Sequence, residues 1–534
     1  MPQQRLRDKR SHKIFIAIVL IAFYLRLQGI TFTLPFVFNS EESNLIIRTI
    51  SLFRNSIQYF LSPDSSIGSP LFLLLNSIVL TLKLQTLNAN NLLGLLELDP
   101  GAVYTGLRFI SVLFGVGSVI VVYFLGLRFS PLVALISSGL LSVSMLHVKV
   151  SQMVTPINSV TFFCLLSSLF LIKKDVKQKD ITLSAIFALM SFLMHPIGIV
   201  SIIPLLFNLV ASKSTFKYGP LVIKLFFVAL VLNFNYILHL LSTLMPLIKQ
   251  YFFNYYEYNS GSFLLYAFNF LLIGVGPVAY FGSIWLLKYK KDYDLNLLKT
   301  LFSLPLISIG VLGLLHFTES KYEVLIIPYF CIASGLVLNS FHEKANTDNK
   351  KFVFILLLLL IFWIPLKDTF KYNKIMSLSD TRKEATEWIR QNTSEDYKII
   401  WDKNSVQPDW YNAYDKRILS RLVSDPTLLI NKQQYIVNGK LLNNKNWFKI
   451  VKKKTDYVLI NSFDYEEAFQ QLGQSQEKKF YRKILKQEPL IVFNPYLKDL
   501  DKKTGSLLKE DLYSPLLTLW QRERSGPVIK VYKL

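Results

Sequence analysis

The chain has 534 residues, of which 51% are hydrophobic and only 18% charged, whereas soluble domains carry about a quarter charged residues. Its net charge of +23 comes without zinc-finger spacing, a basic helix or an aromatic-basic RNA motif, which argues against a nucleic-acid partner. Cys164 and Cys331 both lie in apolar runs, which argues against a structural disulfide.

The apolar residues fall into runs long enough for helices to cross ~30 Å of hydrocarbon. The basic N-terminus, Arg5 to Arg10, precedes a run from about Ile14 that contains Arg26 and no small-residue cleavage site. This pattern predicts an uncleaved first span rather than a signal peptide. Spans are expected over 14–35, 104–126, 131–148, 157–172, 181–195, 197–211, 220–241, 262–287, 300–316, 323–341 and 352–368. The apolar stretch Pro70 to Leu84 is shorter, carries Lys83, and reads as a helix lying at the membrane surface.

Eleven spans place 19 Lys/Arg in cytoplasmic segments and 7 in the segments between spans on the opposite side, as the positive-inside rule requires. A twelfth crossing at 70–84 would export the Lys173, Lys213, Lys288 and Lys344 clusters. The expected topology is therefore a cytoplasmic N-terminus and an extracytoplasmic segment after Lys367. Residues 34–103 become one long external loop. Residues 242–261, rich in aromatic side chains from Tyr251 to Tyr258, form a second segment at headgroup level. The Gly274-Val-Gly276-Pro277 stretch can break the helix that contains it. After Trp363-Ile364-Pro365 the composition turns polar, with short strands such as Tyr397–Ile400 and Tyr457–Ile460 and helix-like stretches at Thr381–Gln391 and Tyr465–Leu472. The fold class is a polytopic α-helical membrane protein (1–368) with a C-terminal soluble α/β domain (369–534).

Two adjacent carboxylates, Glu41 and Glu42, open the first external loop. A carboxylate there suits a general base that takes a proton from an attacking hydroxyl. Arg48, Lys149, His195 and Lys321 fall on the same external side, and ionisable groups at span ends tend to line a cavity or pair with one another.

Several of these residues carry a resemblance. Arg26-Leu-Gln-Gly-Ile, Leu34-Pro35, Phe38-Asn39-Ser40-Glu41-Glu42 and Arg48 are similar to the opening of GT-C glycosyltransferases, in particular the prokaryotic dolichyl-phosphate-mannose-protein mannosyltransferase-like (family 39, ArnT-like) enzymes. Glu41 stands where that family has Asp, and Asn39-Ser40 replaces its His-Pro. His147 to Pro156 resembles its second external turn, although Ile157 takes the place of an acidic residue. His195-Pro196, the Lys321-Tyr322 and Ile327-Pro328 element, and a tail with Asp380-Thr-Arg382, Trp520 to Pro527 and Tyr532 follow it too.

The resemblance implies a GT-C fold and an inverting transfer of a sugar from a polyprenyl-phosphate carrier to an acceptor hydroxyl of a protein, lipid or glycan at the outer face of the cell membrane. It implies Glu41 and Glu42 as catalytic groups and Arg48, Lys149, His195, Lys321 and Tyr322 as substrate-binding ones. No cofactor is assigned, and a divalent metal is left open. Two rival readings stand beside it: a catalytically impaired relative, because of Ile157, and a lipid-sugar flippase or transporter.

Overall fold

The fold is given by a computed structural model. It describes residues 2–34, 69–86, 100–212 apart from 174, 263–314, 319–393, 399–402, 434–437, 456–470, 476–497 and 515–533, with isolated positions in 41–52 and 220–231. The expected span 220–241 (isolated positions apart), the aromatic segment 242–261, and Phe38 to Ser40 lie outside the described residues. The chain divides into two units: one of 1–30, 48–90 and 102–370, the other of 31–47, 91–101 and 371–534.

In chain order the first unit contains α1 (Pro2–Leu27), α2 (Pro70–Thr86), α3 (Pro100–Gly126), α4 (Pro131–Val143), α5 (Met145–Ser151), α6 (Ile157–Leu171) and α7 (Gln178–Met194). A 3₁₀ turn (Pro196–Ser201) leads into α8 (Ile202–Ser212), followed by α9 (Phe263–Val275), α10 (Pro277–Ile284) and α11 (Leu295–Leu314). A second 3₁₀ turn, Ser320–Leu325, precedes α12 (Ile327–Glu343), and α13 (Asp348–Ser377) runs out of the unit. Among the described residues, two stretches are long and apolar enough to cross a membrane, Gly101–Gly126 and one within Asp348–Asn392. The number rises to four if each of two bent helix pairs counts as one span. Both cysteines are buried and free.

The bend at Ser144 corrects the sequence reading of 131–148 as one continuous helix, whereas the bend within 262–287 falls at the Gly274–Pro277 stretch expected to break it. α4 and α5 meet at 59° and the helices on either side of Gly276 at 110°. At the first break Ser144 is extended (φ −62°, ψ 113°). At the second, Gly276 has φ 87°, a value that side chains resist, and Pro277 has no N–H to continue the ladder.

A broken helix leaves carbonyls without donors, which apolar surroundings make costly. Here side chains supply the donors. Arg26 on α1 donates to Leu141 O (3.1 Å) and Ser142 O (3.1 Å), and Thr369 Oγ1 donates to Val143 O (2.7 Å). Ser144 Oγ, at one break, donates to Gly274 O (2.6 Å) at the other. The two breaks are thus joined, and α5 packs against α9.

The second unit holds a five-stranded sheet of order β2-β1-β3-β5-β4, from β1 (Ile399–Asp402), β2 (Gln434–Val437), β3 (Tyr457–Asn461), β4 (Ile491–Phe493) and β5 (Ile529–Lys533). β1 is parallel to β2 and β3, while β5 runs antiparallel to β3 and β4. Alternate residues of β3 point to opposite faces. Tyr457 and Leu459 pack with Ala385 and Ile389 of α14 (Thr381–Asn392). Val458 and Ile460 pack with Ala468 of α15 (Ser462–Gln470) and with Phe480, Tyr481 and Ile484 of α16 (Gln476–Ile484). Both faces are covered, as a sheet with parallel strands requires.

Candidate functional site

The sequence-predicted binding residues of the first unit converge on two turns. α7 ends where His195 leaves the helical region (φ −165°, ψ 143°), and Pro196 starts the 3₁₀ turn. His195 N donates back to Ser191 O (3.2 Å) and Gly198 N donates to His195 O (2.8 Å). The ring then caps the turn: Ile197 N donates to His195 Nδ1 (3.2 Å), so Nδ1 is the unprotonated nitrogen in that bond. A Cβ at position 198 would lie 2.2 Å from Ser191 O. Only glycine lets the turn approach α7 this closely, which fixes His195.

The second turn, Ser320–Leu325, places Tyr322 beside His195 with ring centroids 6.4 Å apart. Lys321 Nζ lies over the Tyr322 ring at 5.1 Å, a cation-π distance. The same ammonium pairs with Glu319 at 2.5 Å, where Lys321 is 17% and Glu319 44% exposed. Lys321 is therefore a paired cation whose partner faces solvent. Lys321 and Arg48 both act electrostatically on His195. His195, Lys321 and Tyr322 thus form one local group, with Arg48 within electrostatic reach of His195.

Lys149 is reached differently. It sits, fully buried, on the short α5, which the break at Ser144 turns away from the axis of α4. α5 packs against the 320–325 turn. Its orientation is fixed by Arg26, whose Nη2 donates to His147 Nδ1 (2.9 Å), and by Gln152 Nε2, which donates to Leu25 O (3.1 Å). Arg108, also buried, donates to Ile30 O (2.9 Å). The structural work of Arg26 and Arg108 was not legible in the sequence, where each is a lone charge in an apolar run. Ile157, the residue in place of an expected acid, opens α6 with its side chain buried.

Glu41 and Glu42 are helical, Glu41 half-buried and Glu42 buried, and both belong to the second unit. They precede Arg48 by seven and six residues. Among the described residues, no group of three or more His, Cys, Asp or Glu side chains is placed to hold a metal ion.

In the second unit the tail residues form a structural knot. Asp380 caps α14, accepting from Arg382 N (2.9 Å), and is held by Arg382 Nε (2.8 Å) and Nη2 (2.9 Å). Thr381 Oγ1 donates to Pro527 O (2.7 Å). Arg522 is buried. It donates to Thr518 Oγ1 (2.7 Å), Gly526 O (2.6 Å) and Tyr496 Oη (2.9 Å). Arg524 pairs with Glu384. These contacts hold Asp380, Thr381, Arg382, Arg522 and Arg524 in place.

Residues 95–238 match the family model of dolichyl-phosphate-mannose-protein mannosyltransferases. No curated protein matches the chain. Among solved structures, the chain is similar to the archaeal oligosaccharyltransferase AglB from Archaeoglobus fulgidus in complex with an inhibitory peptide and a dolichol-phosphate. The TM-score is 0.53 at 12% identity, over 86% of this chain and 70% of that one. The apo form of the Archaeoglobus fulgidus oligosaccharyltransferase gives 0.50 at 11% identity, over 85% and 70%. ArnT from Cupriavidus metallidurans bound to undecaprenyl phosphate gives 0.48 at 10% identity, over 97% of both chains. The family model and the shared fold with AglB bear out the resemblance to GT-C glycosyltransferases.

Proposed function

We propose that the chain is an inverting glycosyltransferase that moves a sugar from a polyprenyl-phosphate carrier to an acceptor hydroxyl outside the cytoplasm. The observation that carries this reading is the grouping of His195, Lys321 and Tyr322 at two helix-terminal turns of a membrane fold, with Arg48 within electrostatic reach of His195. Two cations and an aromatic ring suit a sugar phosphate, and cations in apolar surroundings bind it more strongly than they would in water.

The donor phosphate takes the place of Glu319 on Lys321 and is shared with Arg48, while Lys149 adds positive charge from α5. Glu41 or Glu42 accepts the proton of the acceptor hydroxyl as its oxygen attacks the anomeric carbon from the face opposite the phosphate. The bond from carbon to phosphate oxygen breaks, configuration inverts, and the polyprenyl phosphate leaves with the electron pair, stabilised by the cations. The proposal includes eleven spans in the cell membrane, domains of 1–368 and 369–534, a cytoplasmic N-terminus and a soluble extracytoplasmic C-terminal domain. Its partners are the lipid-linked donor and a protein, lipid or glycan acceptor.

The test is transfer of radiolabel from polyprenyl-phosphate sugars by the purified chain. Glu41→Gln or Glu42→Gln is expected to lower the rate about 10²- to 10⁴-fold. Full activity in both single variants and in the double variant refutes the base assignment. A second reading, lipid-sugar movement across the bilayer, is favoured by the two broken helix pairs, which are a feature of transporters. Flipping of labelled lipid in liposomes, with no transfer in the same preparation, would establish it.

A further inference from the structure

One buried carboxyl of the first unit has no task in the mechanism above. Glu323 follows Lys321 and Tyr322 in the 320–325 turn and is 3% exposed. Among the described residues its Oε2 has no hydrogen-bond partner and its carboxyl makes no ion pair. The turn is packed by α5, α6, α9 and α12. Its neighbours Tyr322, Val324 and Leu325 are buried as well.

An unsatisfied buried polar group destabilises the fold, and an apolar side chain of similar size would remove that cost. Buried polar groups are almost always paired. A carboxyl oxygen left unpaired among the described residues, two residues from Lys321, is an acceptor that a ligand can fill. The chemistry narrows which part of the ligand. An ionised carboxylate repels a phosphate, whereas in either protonation state the group pairs with hydroxyls, accepting from one and, when it holds a proton, donating to another.

We propose that Glu323 binds a hydroxyl of the donor sugar, and that it thereby distinguishes a glycosylated from a bare polyprenyl phosphate. This rests on the donor assignment made above. Lys321 and Arg48 hold the phosphate, and Glu323, two residues beyond Lys321, reads the sugar attached to it. Loss of a hydroxyl partner leaves the carboxyl unpaired again, so the site discriminates by the penalty as well as by the bond.

The test uses the full chain in detergent. It compares binding of polyprenyl phosphate with that of the same lipid carrying mannose, glucose or galactose, for the wild type, Glu323→Gln and Glu323→Leu. The wild type is expected to bind at least one sugar-bearing lipid more tightly than the bare lipid. Glu323→Leu is expected to weaken that lipid by about tenfold, the worth of one good buried hydrogen bond, and to leave the bare lipid unchanged. Glu323→Gln, which keeps an acceptor and a donor, retains most of the preference.

Thermal unfolding separates this from a structural role, because Glu323→Leu should unfold no earlier than the wild type. A lower unfolding temperature, an equal loss for bare and glycosylated lipid, or wild-type binding of all lipids by Glu323→Leu overturns the inference. A wild type that binds bare lipid with no gain from any sugar overturns it too, leaving the phosphate assignment standing. A wild type that binds none of them overturns that assignment and the inference with it.

Discussion

Replacing Gly198 by alanine tests whether the close approach at the end of α7 builds the binding group. The added Cβ would lie 2.2 Å from Ser191 O and 2.4 Å from Ser191 C. Both atoms are backbone in the last turn of α7, so no rotamer change relieves the overlap and the 3₁₀ turn must lift away. Overpacking of this kind costs about 1–3 kcal/mol. The bonds from His195 N to Ser191 O and from Gly198 N to His195 O belong to the same knot, and losing one adds about 1 kcal/mol.

The expected total of about 2–4 kcal/mol corresponds to a drop of roughly 4–8 °C in unfolding temperature. It should come with weaker binding of polyprenyl-phosphate sugar as the His195 ring moves from Tyr322. The assay is tryptophan fluorescence on heating, together with lipid binding. Gly282→Ala serves as control, since nothing lies within 4 Å of a Cβ there, and it should be neutral or slightly stabilising. If the Gly198→Ala and Gly282→Ala proteins unfold and bind alike, the turn does not hold His195 and the reasoning fails.

Arg26→Met leaves the carbonyls of Leu141 and Ser142 at the Ser144 break without side-chain donors; a loss of about 2–4 kcal/mol is expected in detergent unfolding. Arg26→Lys should rescue little, because an ammonium lacks the fork that serves two carbonyls and His147 at once. In the second unit, Arg522→Leu removes three hydrogen bonds from a buried guanidinium and is expected to cost about 2 kcal/mol or more, read as faster limited proteolysis of the C-terminal tail.

Burial also pushes the Glu466 carboxyl from 4.5 up to about 7. Because its folded pKa is raised, the protonated form is favoured by folding. Its contribution is full below pH 4.5 and is lost as pH rises to about 7. Glu466→Gln should therefore unfold later than the wild type above pH 7, with the difference closing toward pH 4.5. A constant offset across that range would refute the assignment.

Apolar runs and loop charges made the membrane class legible, because hydrocarbon tolerates little else over the length of a span. The alternation at Tyr457–Ile460 likewise marked a strand, since its period follows from the pleat alone, and Gly276-Pro277 announced a helix break through backbone sterics. The break at Ser144 carried no such signal. Serine fits a helix, and the bend is sustained by Arg26 and Thr369, which lie more than a hundred residues away in the chain. The pairing of Lys321 with Glu319, the burial of Arg522 and the unpaired state of Glu323 were equally hidden. Local chemistry and periodicity are written in neighbouring residues, whereas burial and partner choice depend on which distant segments meet. The sequence by itself therefore determined the class, the charge pattern and the candidate groups. Only the tertiary structure decided which charges are buried and which partners satisfy them.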